Sequence, residues 1–552
     1  MPDFNFCGGT YVSKSITQAD DECINLYPEV LQIGRPDNRG LIALYQVPGK
    51  RTLLTFPDLA EVRGLWVFAG SAALIAVCGS SVYSVSTGWV ATKVGSLLTS
   101  SGPVSIADNG TVAMIADGVA RYVYNPSVPY LTPMTSPTFT ASISGSTMTV
   151  TNISSGVLGP FQSISGSGVT SGTTITAGIP LGPGQTGTFT VSPSQTVSST
   201  AMTAVDGAFT AASYVSEVDG FFIYGNPGTI QWGSSSYGSP VSPNVPPSIG
   251  YKDGSSDNLM SMIAVNRELF LMGERTSEVW IDNGAFPFPF SRLPGVSTQH
   301  GCVAPYSVSR LGESFAWLAR DTRGQNYVYQ MNGYVPQRIS TFAVEYAVST
   351  YAVISDARAY TYQQGGHEFY VLTFPSADVT WVYDIVTGLW HKRAYRDANN
   401  VLHRDRGNCG AVFSNNTIVI GDWDNGNLYA LDQSVYTDAG GVPLYRLRRS
   451  PHMTQNLNRV RYYSLQIQFE PGTGISSGQG SNPQAMMQWS DDGGFTWSPE
   501  SWTEIGAMGA YRIRAIWRRL GIARDRVFQV VVTDPVKCAI ISAELKAEAL
   551  EF

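Results

Sequence analysis

Charged residues are scarce in this sequence: Asp, Glu, Lys and Arg together make up only 14% of the 552 residues. A typical globular chain has about a quarter. The composition is nevertheless not that of a disordered chain, because hydrophobic residues reach 43% and aromatic residues 11%. A chain of this length predicts two to four domains or one large repetitive architecture.

The signals of several protein classes are also missing. Six cysteines are spread along the chain with no CxxC pair, which argues against a zinc site and favours free thiols. The longest apolar stretch, residues 65–78, is too short to span a bilayer, and residues 1–6 lack the features of a secretion signal. A net charge of −7 argues against tight DNA binding by the surface as a whole. We therefore expect no cofactor, no metal and no membrane-spanning segment.

Helical periodicity is rare, whereas short runs rich in Val, Ile, Tyr and Ala recur from Val62 onward. Only residues 261–270 and 541–552 read as helix at all, and the first of these alternates well enough to be a strand. The runs are separated by Asn-Gly and Asp-Gly pairs, such as Asn109-Gly110 and Asp219-Gly220. These pairs tolerate the positive φ that a two-residue hairpin requires, so they predict adjacent antiparallel strands.

A loose unit of four such strands recurs roughly every 40 to 60 residues, the period of propeller blades. We predict an all-β fold with a β-propeller core of about six to seven blades. A stack of β-sandwiches is the alternative.

The sharpest change in composition is a span without charge. Residues 122–205 contain no Asp, Glu, Lys, Arg or His and are dominated by Ser, Thr and Gly. Thr or Ser alternates there with Ile, Val, Phe or Ala, a pattern that favours strands over solvated coil. We predict a small inserted β-domain over residues 135–204. It divides the propeller into residues 61–134 and 205–440, preceded by N-terminal strands over 1–60 and followed by a β-rich region over 441–552.

The C-terminal region is locally basic, with 13 basic against 10 acidic residues from position 441 onward. Alternate residues of a strand share a face, so arginines two positions apart point the same way. The arginines that we consider as contacts to DNA or a partner are Arg446, Arg448, Arg449, Arg512 and Arg514. Salt-bridged or solvated surface arginines are the other interpretation.

Residues 490–497, Ser-Asp-Asp-Gly-Gly-Phe-Thr-Trp, match the S-x-D-x-G-x-T-W pattern called the Asp box in sialidase-type propellers. In this pattern the carboxylate accepts hydrogen bonds from turn amides, the second Gly permits a close-packed turn, and Trp packs beneath the hairpin. The match predicts a structural hairpin and no active site. The residues of this turn are Ser490, Asp492, Gly494, Thr496 and Trp497.

No catalytic constellation is evident. A glycosidase needs two carboxylates about 5 to 9.5 Å apart, and Glu368, Asp422 and Asp424 are better explained by turns and caps. His367-Glu368 is not followed by the second histidine of an H-E-x-x-H zinc motif. We predict that the protein is not an enzyme, and we assign no catalytic residue.

Two blocks of sequence, one near each end of the chain, form a distinctive pair. The first block follows Cys23-Ile24, and its motif residues are Asn25, Leu26, Tyr27, Pro28, Glu29, Pro48 and Gly49. The second block is residues 489–497, followed by Trp-Arg-Arg-Leu-Gly at 517–521 and Arg-Asp-Arg-Val-Phe at 524–528. Together they resemble the podovirus tail nozzle family, also known as packaged-DNA stabilisation proteins. The uncharged insert lies outside this resemblance and is similar to a Ser/Thr/Gly β-module found in phage virion proteins.

The resemblance implies a structural protein of the virion tail, made in the cytoplasm of the bacterial host. It implies a homohexameric ring beneath a head-to-tail adaptor ring, with residues 1–60 facing the adaptor. Tail fibres or spikes attach to the ring, and double-stranded DNA passes through its lumen without sequence specificity. Two alternatives are a carbohydrate-binding or carbohydrate-cleaving receptor-recognition protein of the virion, and a propeller scaffold outside phages.

Overall fold

A computed structural model of the protein describes residues 4–31, 42–69, 72–205, 211–225, 228–240, 249–285, 288–456 and 458–550. Across these ranges the chain is almost entirely β, with one α-helix, Phe342–Thr350, and two 3-10 turns, Pro305–Ser307 and Ala439–Gly441. It divides into two compact units. The first comprises residues 1–52, 338–406 and 429–552, and the second comprises residues 53–337 and 407–428.

The second unit contains five successive antiparallel sheets of four or five strands. Asp219 and Gly220, both at positive φ, form the predicted two-residue turn between Tyr214–Val218 and Phe221–Gly225. The first sheet contains Val62–Phe68, Ala73–Cys78, Ser81–Ser86 and Ala91–Ser96, and the second contains Ser105–Asp108, Ala113–Ala116, Arg121–Asn125 and Val128–Pro133. The third contains Tyr214–Val218, Phe221–Gly225, Gln231–Ser234 and Ile249–Tyr251, and the fourth contains Leu259–Val265, Glu268–Gly273, Ser277–Asp282 and Phe290–Thr298. The fifth contains His300–Cys302, Ser309–Leu311, Ser314–Asp321, Asn326–Asn332 and Val335–Arg338.

Successive sheets pack face to face, as propeller blades do. Val77 of the first sheet shares a core with Ile115 of the second, and Met114 on the other face of the second shares one with Phe222 of the third. The third and fourth sheets, and the fourth and fifth, are joined in the same way. A hairpin of Gly407–Phe413 and Thr417–Asp422 packs against the opposite face of the first sheet. The central strands therefore bury both faces, which explains their near-continuous apolar runs.

The uncharged insert is an ordered four-stranded sheet made of Thr138–Ser155, Ser163–Gly166, Thr174–Ala177 and Gly187–Val205. It has its own core, with Phe139, Met148 and Phe189 among its buried members. Alternation of these apolar residues with Thr and Ser supplies one buried and one solvated face. The prediction of an inserted β-domain is confirmed.

The first unit contains a sixth antiparallel meander, of Arg358–Gln364, His367–Phe374, Val379–Asp384 and Leu389–Arg396. Its sheet continues through Cys23–Ile24, Arg446–Arg449, Asp525–Val532, Gln484–Ser490 and Ser501–Glu504. A second sheet, of Leu26–Val30, Ile42–Gln46, Ala539–Ala549, Val460–Phe469 and Ala515–Ala523, packs on this extension. Their shared core contains Leu465, Met487 and Phe528, so the C-terminal region is a β-sandwich completed by N-terminal strands.

The remaining strands are Tyr11–Val12, Asp20–Asp21, Gly49–Thr55, Leu402–Arg404, Asn427–Asp432 and Met453–Thr454. Six meanders and the hairpin at 407–422 agree with the predicted all-β propeller of about six to seven blades. Of the two stretches considered as helix, residues 261–270 belong to the hairpin of Leu259–Val265 and Glu268–Gly273, and residues 541–549 belong to the strand Ala539–Ala549. Residues 551 and 552 lie outside the described residues. The helix Phe342–Thr350 was missed. The residue before that helix, Thr341, is its N-cap, and its hydroxyl accepts a hydrogen bond from the Val344 N–H.

Candidate functional site

The N-terminal family motif is structural in the first unit. Asn25 has φ of 55°, and its side-chain amide donates to the carbonyl oxygens of Ala394 and Tyr445, each at 2.8 Å. Asparagine is among the few residues that tolerate this conformation. Leu26 enters the sandwich core, and the ring of Tyr27 packs edge-on against His367 at 5.2 Å. The motif thus joins the meander to the sandwich.

The rest of the motif has the same role. Pro28 lies on the edge strand Leu26–Val30, where the missing N–H costs least. Glu29 Oε2 lies 3.7 Å from His367 Nε2. Pro48 is followed by Gly49, where a Cβ would come within 2.3 Å of the Val435 carbonyl oxygen, so only glycine fits.

Lys50, next to that glycine, forms a buried ionic cluster. Its Nζ lies 2.8 Å from Asp405 Oδ1 and 2.8 Å from Asp438 Oδ1, and all three side chains are buried. Burial by itself lowers the pKa of Lys50, but the two carboxylates together raise it above its ordinary value. This cluster holds three chain segments together and leaves no free base for chemistry.

A histidine and a carboxylate are paired in the meander, as they are in many hydrolases. His367 Nδ1 lies 2.7 Å from Asp384 Oδ2, and its ring stacks on Phe369. The hydrogen bond to Asp384 raises the pKa of His367, despite the opposing effect of burial. With Glu29 near its other nitrogen, the His367 ring lies between two carboxylates, and no nucleophile contacts it among the described residues.

Three of the five arginines considered as DNA or partner contacts are engaged within the chain. Arg446 donates to the carbonyl oxygens of Val536 and Asp534, and Arg448 donates to that of Gly9. Both are only 1% exposed. Arg449 Nη1 lies 2.8 Å from both carboxylate oxygens of Asp20. The expectation of an exposed basic face therefore does not hold for these three: Arg448 and Arg449 anchor the N-terminal segment to the sandwich, and Arg446 bonds within the C-terminal region.

The Asp-box turn contacts the same N-terminal segment. Asp492 accepts hydrogen bonds from the Phe495 N–H at 3.0 Å and the Thr496 N–H at 2.9 Å, and the Ser490 hydroxyl accepts one from the Gly494 N–H at 2.8 Å. Hydrogen bonds from the Thr496 side chain and backbone lower the pKa of Asp492. A Cβ at Gly494 would lie 2.8 Å from Asp20 Oδ2, so this turn presses its backbone against the segment.

The exposed basic residues gather instead on the outer face of the second sandwich sheet. They line a shallow groove of about 880 Å³ across Val460–Phe469, Ala515–Ala523 and Ala539–Ala549. The cationic side chains of this "basic groove" are Arg461, Arg514, Arg518, Arg519 and Lys546.

Of the predicted contacts, Arg514 lines the basic groove, and Arg512 is exposed but does not line it. Four lining residues were not among the predicted contacts, although the clustering of arginines was a partial signal: Arg461, Arg518, Arg519 and Lys546. Their convergence depends on the register of the three strands, which the spacing of residues along the chain does not supply.

The basic groove does not have the groups of a hydrolytic site. Glycoside hydrolysis uses a pair of carboxylates, but only Glu544 lines the groove; Glu548, on the same face, does not line it and accepts a hydrogen bond from the Tyr463 hydroxyl. The described residues contain no group of three or more His, Cys, Asp or Glu side chains that could hold a metal ion. In the same part of the chain, no helix is long and apolar enough to cross a membrane. All six cysteines are free thiols.

Comparison with solved structures gives distant matches. The chain is similar to the WD40 beta propeller domain of Doa1, with 10% identity, a TM-score of 0.35, and coverage of 70% of this chain and 97% of that chain. It is also similar to the N-terminal domain of Nup159, with 10% identity, a TM-score of 0.35, and coverage of 73% and 99%. A third similar structure is the extracellular domain of the putative hybrid two component system BT4673 from B. thetaiotaomicron. Its identity is 8% and its TM-score is 0.38, and the match covers 83% of this chain and 47% of that chain. TM-scores this low carry no argument about function, and no curated protein matches the chain.

Comparison with protein families is decisive. A family model described as "Bacteriophage P22 Gp10, beta-propeller" matches residues 140–436, and one described as "Bacteriophage P22 Gp10, beta-sandwich" matches residues 445–548. The first match includes most of the inserted sheet, which the sequence had placed outside the family resemblance. Because this match alone takes in more than half of the 552 residues, the chain belongs to the bacteriophage P22 Gp10 family and is a structural protein of the podovirus tail.

Proposed function

We propose that this protein is a subunit of the tail nozzle, a homohexameric ring below the head-to-tail adaptor through which double-stranded DNA leaves the virion. The observation that carries this proposal is the family match across both the propeller and the sandwich. In this role the ring retains the packaged genome before infection and provides attachment sites for tail fibres or spikes. The role is mechanical, and we propose no catalytic step.

The charge balance supports a conduit. Every phosphate that a cation neutralises adds salt-dependent affinity, and strong affinity would slow the passage of DNA. This chain has a net charge of −7, and several of its arginines form hydrogen bonds or ion pairs within the chain. Few cations are therefore left to bind the phosphates of DNA. The histidine and lysine clusters also support a static role, because their polar groups are satisfied by neighbouring side chains.

Assembly tests the ring. The purified full-length chain is mixed with its adaptor ring and imaged in negative stain, with the chain alone as the control. We expect closed six-fold rings stacked on the adaptor. A chain that stays monomeric at every concentration, with or without the adaptor, would contradict the nozzle role.

Genome retention is tested separately in virions. Particles made without this protein should package DNA but lose it during purification, and addition of the purified chain to freshly filled particles should prevent the loss. The measurement is nuclease-resistant DNA per particle. If particles without the protein keep their DNA, the proposed role in genome retention is wrong, but the proposal that the protein forms a ring still stands.

A further inference from the structure

The basic groove contains cations that are not neutralised within the chain. Arg461, Arg514, Arg518, Arg519 and Lys546 are all exposed, and none has an ion-pair partner within 4 Å among the described residues. Other arginines of this unit are ion-paired, as Arg449 is with Asp20 and Arg526 with Asp491. In the groove, by contrast, five cations lie close together and remain available to a partner.

The groove is also a basic region on an acidic chain. Residues 441–552 carry 13 basic and 10 acidic side chains, whereas the other 440 residues carry 22 basic and 32 acidic ones. A second copy of the chain consequently offers surface of the opposite charge. Complementary potentials of this kind bring partners together and fix their orientation.

The floor of the groove favours a protein over a nucleic acid. Tyr463 is 38% exposed and Ile522 is 46% exposed, so apolar surface lies between the cations. Two carboxylates share the same face: Glu544 lines the groove, and Glu548 accepts a hydrogen bond from the Tyr463 hydroxyl. Exposed Tyr, Arg and apolar groups with charges of both signs are typical of protein interfaces, whereas carboxylates repel a phosphate backbone.

The backbone of the groove favours side-chain contacts over strand addition. Ala515–Ala523 is the edge strand of its sheet, and a bulge opposite Tyr462 and Ser464 interrupts its pairing. Within the bulge Arg519 has φ of 60°, a conformation that non-glycine residues rarely adopt. Bulges and edge charges block the addition of another strand. A partner therefore meets the guanidinium groups and the apolar floor.

We propose that the basic groove docks an acidic surface of a second copy of this chain, in a head-to-tail contact between neighbouring subunits. The inference rests on the proposed ring, because a contact between two different surfaces closes into a ring when its rotation permits. It assigns one side of the subunit contact to Arg461, Arg514, Arg518, Arg519 and Lys546.

The test is charge reversal in the full-length protein, with assembly measured by sedimentation velocity. We expect R514E/R518E to raise the concentration needed for assembly on the order of tenfold or more, since each reversal turns attraction into repulsion. R512E is the matched control, because Arg512 is exposed nearby but does not line the groove, and it should assemble like the wild type. Glutamate keeps the edge strand charged, so aggregation does not confound the result. The milder R518Q should show a smaller defect, with unchanged circular dichroism.

The outcomes separate this inference from the proposed function. Rings of R514E/R518E that form at the wild-type concentration would overturn the groove contact and leave the nozzle role intact. A monomeric wild type would overturn both. Fluorescence anisotropy with a 30-base-pair duplex forms a second arm of the test. If the duplex binds the wild type but not R514E/R518E, while assembly is equal, then the groove is a DNA site and the inference is wrong.

Discussion

The guanidinium group of Arg449 lies over the indole ring of Trp497, 5.0 Å from the ring centroid. The same guanidinium forms the ion pair with Asp20. One arginine therefore connects the Asp-box turn of the sandwich to the N-terminal segment.

Replacing Arg449 with methionine should destabilise the first unit by about 3 kcal/mol, because buried Asp20 would lose its cation. The measurement is the urea midpoint followed by tryptophan fluorescence. The defect should shrink in acid, where Asp20 becomes protonated; burial already raises the pKa of Asp20. R512M, at an exposed position, is the control and should change stability by less than about 0.5 kcal/mol. Equal midpoints for R449M and R512M would contradict this role for Arg449.

Lys50 and Arg51 form a natural pair for comparison. K50M would leave Asp405 and Asp438 buried side by side without their shared cation, and we expect a loss of about 3 to 5 kcal/mol. R51M breaks only the exposed contact with Asp432 and should cost less than about 1 kcal/mol. Thermal unfolding of the two variants measures the difference. Adding D405N and D438N to K50M should restore part of the stability, and a failure of K50M to differ from R51M would show that the cluster is unimportant.

His452 should make the attachment of the N-terminal segment dependent on pH. Its Nδ1 lies 2.7 Å from Asp525 Oδ2 and its Nε2 lies 2.7 Å from the Ile16 carbonyl oxygen, so both nitrogens face acceptors and both hydrogen bonds require the protonated ring. The bond to Asp525 raises the pKa of His452 above its ordinary value of 6.5. This stabilisation is complete below about pH 6.5 and is lost as pH rises through the higher pKa of the folded protein.

Hydrogen exchange of residues 11–21 measures this attachment. Exchange should quicken by more than the intrinsic chemical rate as the pH rises above about 6.5, and H452Q should lose that excess. H403Q is the control, because His403 pairs with Asp378 and Asp397 away from this segment. An unchanged excess in H452Q would assign the effect to another group.

Deletion of residues 135–204 should leave the second unit folded, because the insert has a core of its own between two complete sheets. We expect the deletion to lower the stability of the second unit modestly, because Phe161 packs at the junction on the core that contains Met134 and Ala212. F161A in the full-length chain isolates this contact and should cost about 1 to 2 kcal/mol. Circular dichroism and thermal unfolding measure both variants. Non-cooperative unfolding of the deletion variant would show that the insert is part of the propeller core.

Much of the fold follows from local sequence. Turns such as Asp219-Gly220 and the alternation within the insert are properties of short segments, so they predicted hairpins and strands. The pairing of Cys23–Ile24 with Arg446–Arg449 joins residues more than 400 positions apart, and no local pattern encodes it. The site residues could not be predicted fully from sequence for the same reason. Arg446 and Arg514 look alike in sequence, yet one is buried against carbonyl oxygens and the other is exposed, because burial depends on which strands lie above them.

The strand Cys23–Ile24 runs parallel to Leu389–Arg396 on one side and antiparallel to Arg446–Arg449 on the other. On the ribosome this segment emerges long before either neighbour has been made. At about 5 to 20 residues per second, the wait for Arg449 is on the order of 20 to 90 seconds. Throughout that time the apolar face of Leu26–Val30 is uncovered, and a chain that stops before Arg446 never completes the sheet. Nascent and truncated chains should consequently depend on host chaperones, whereas the finished subunit does not.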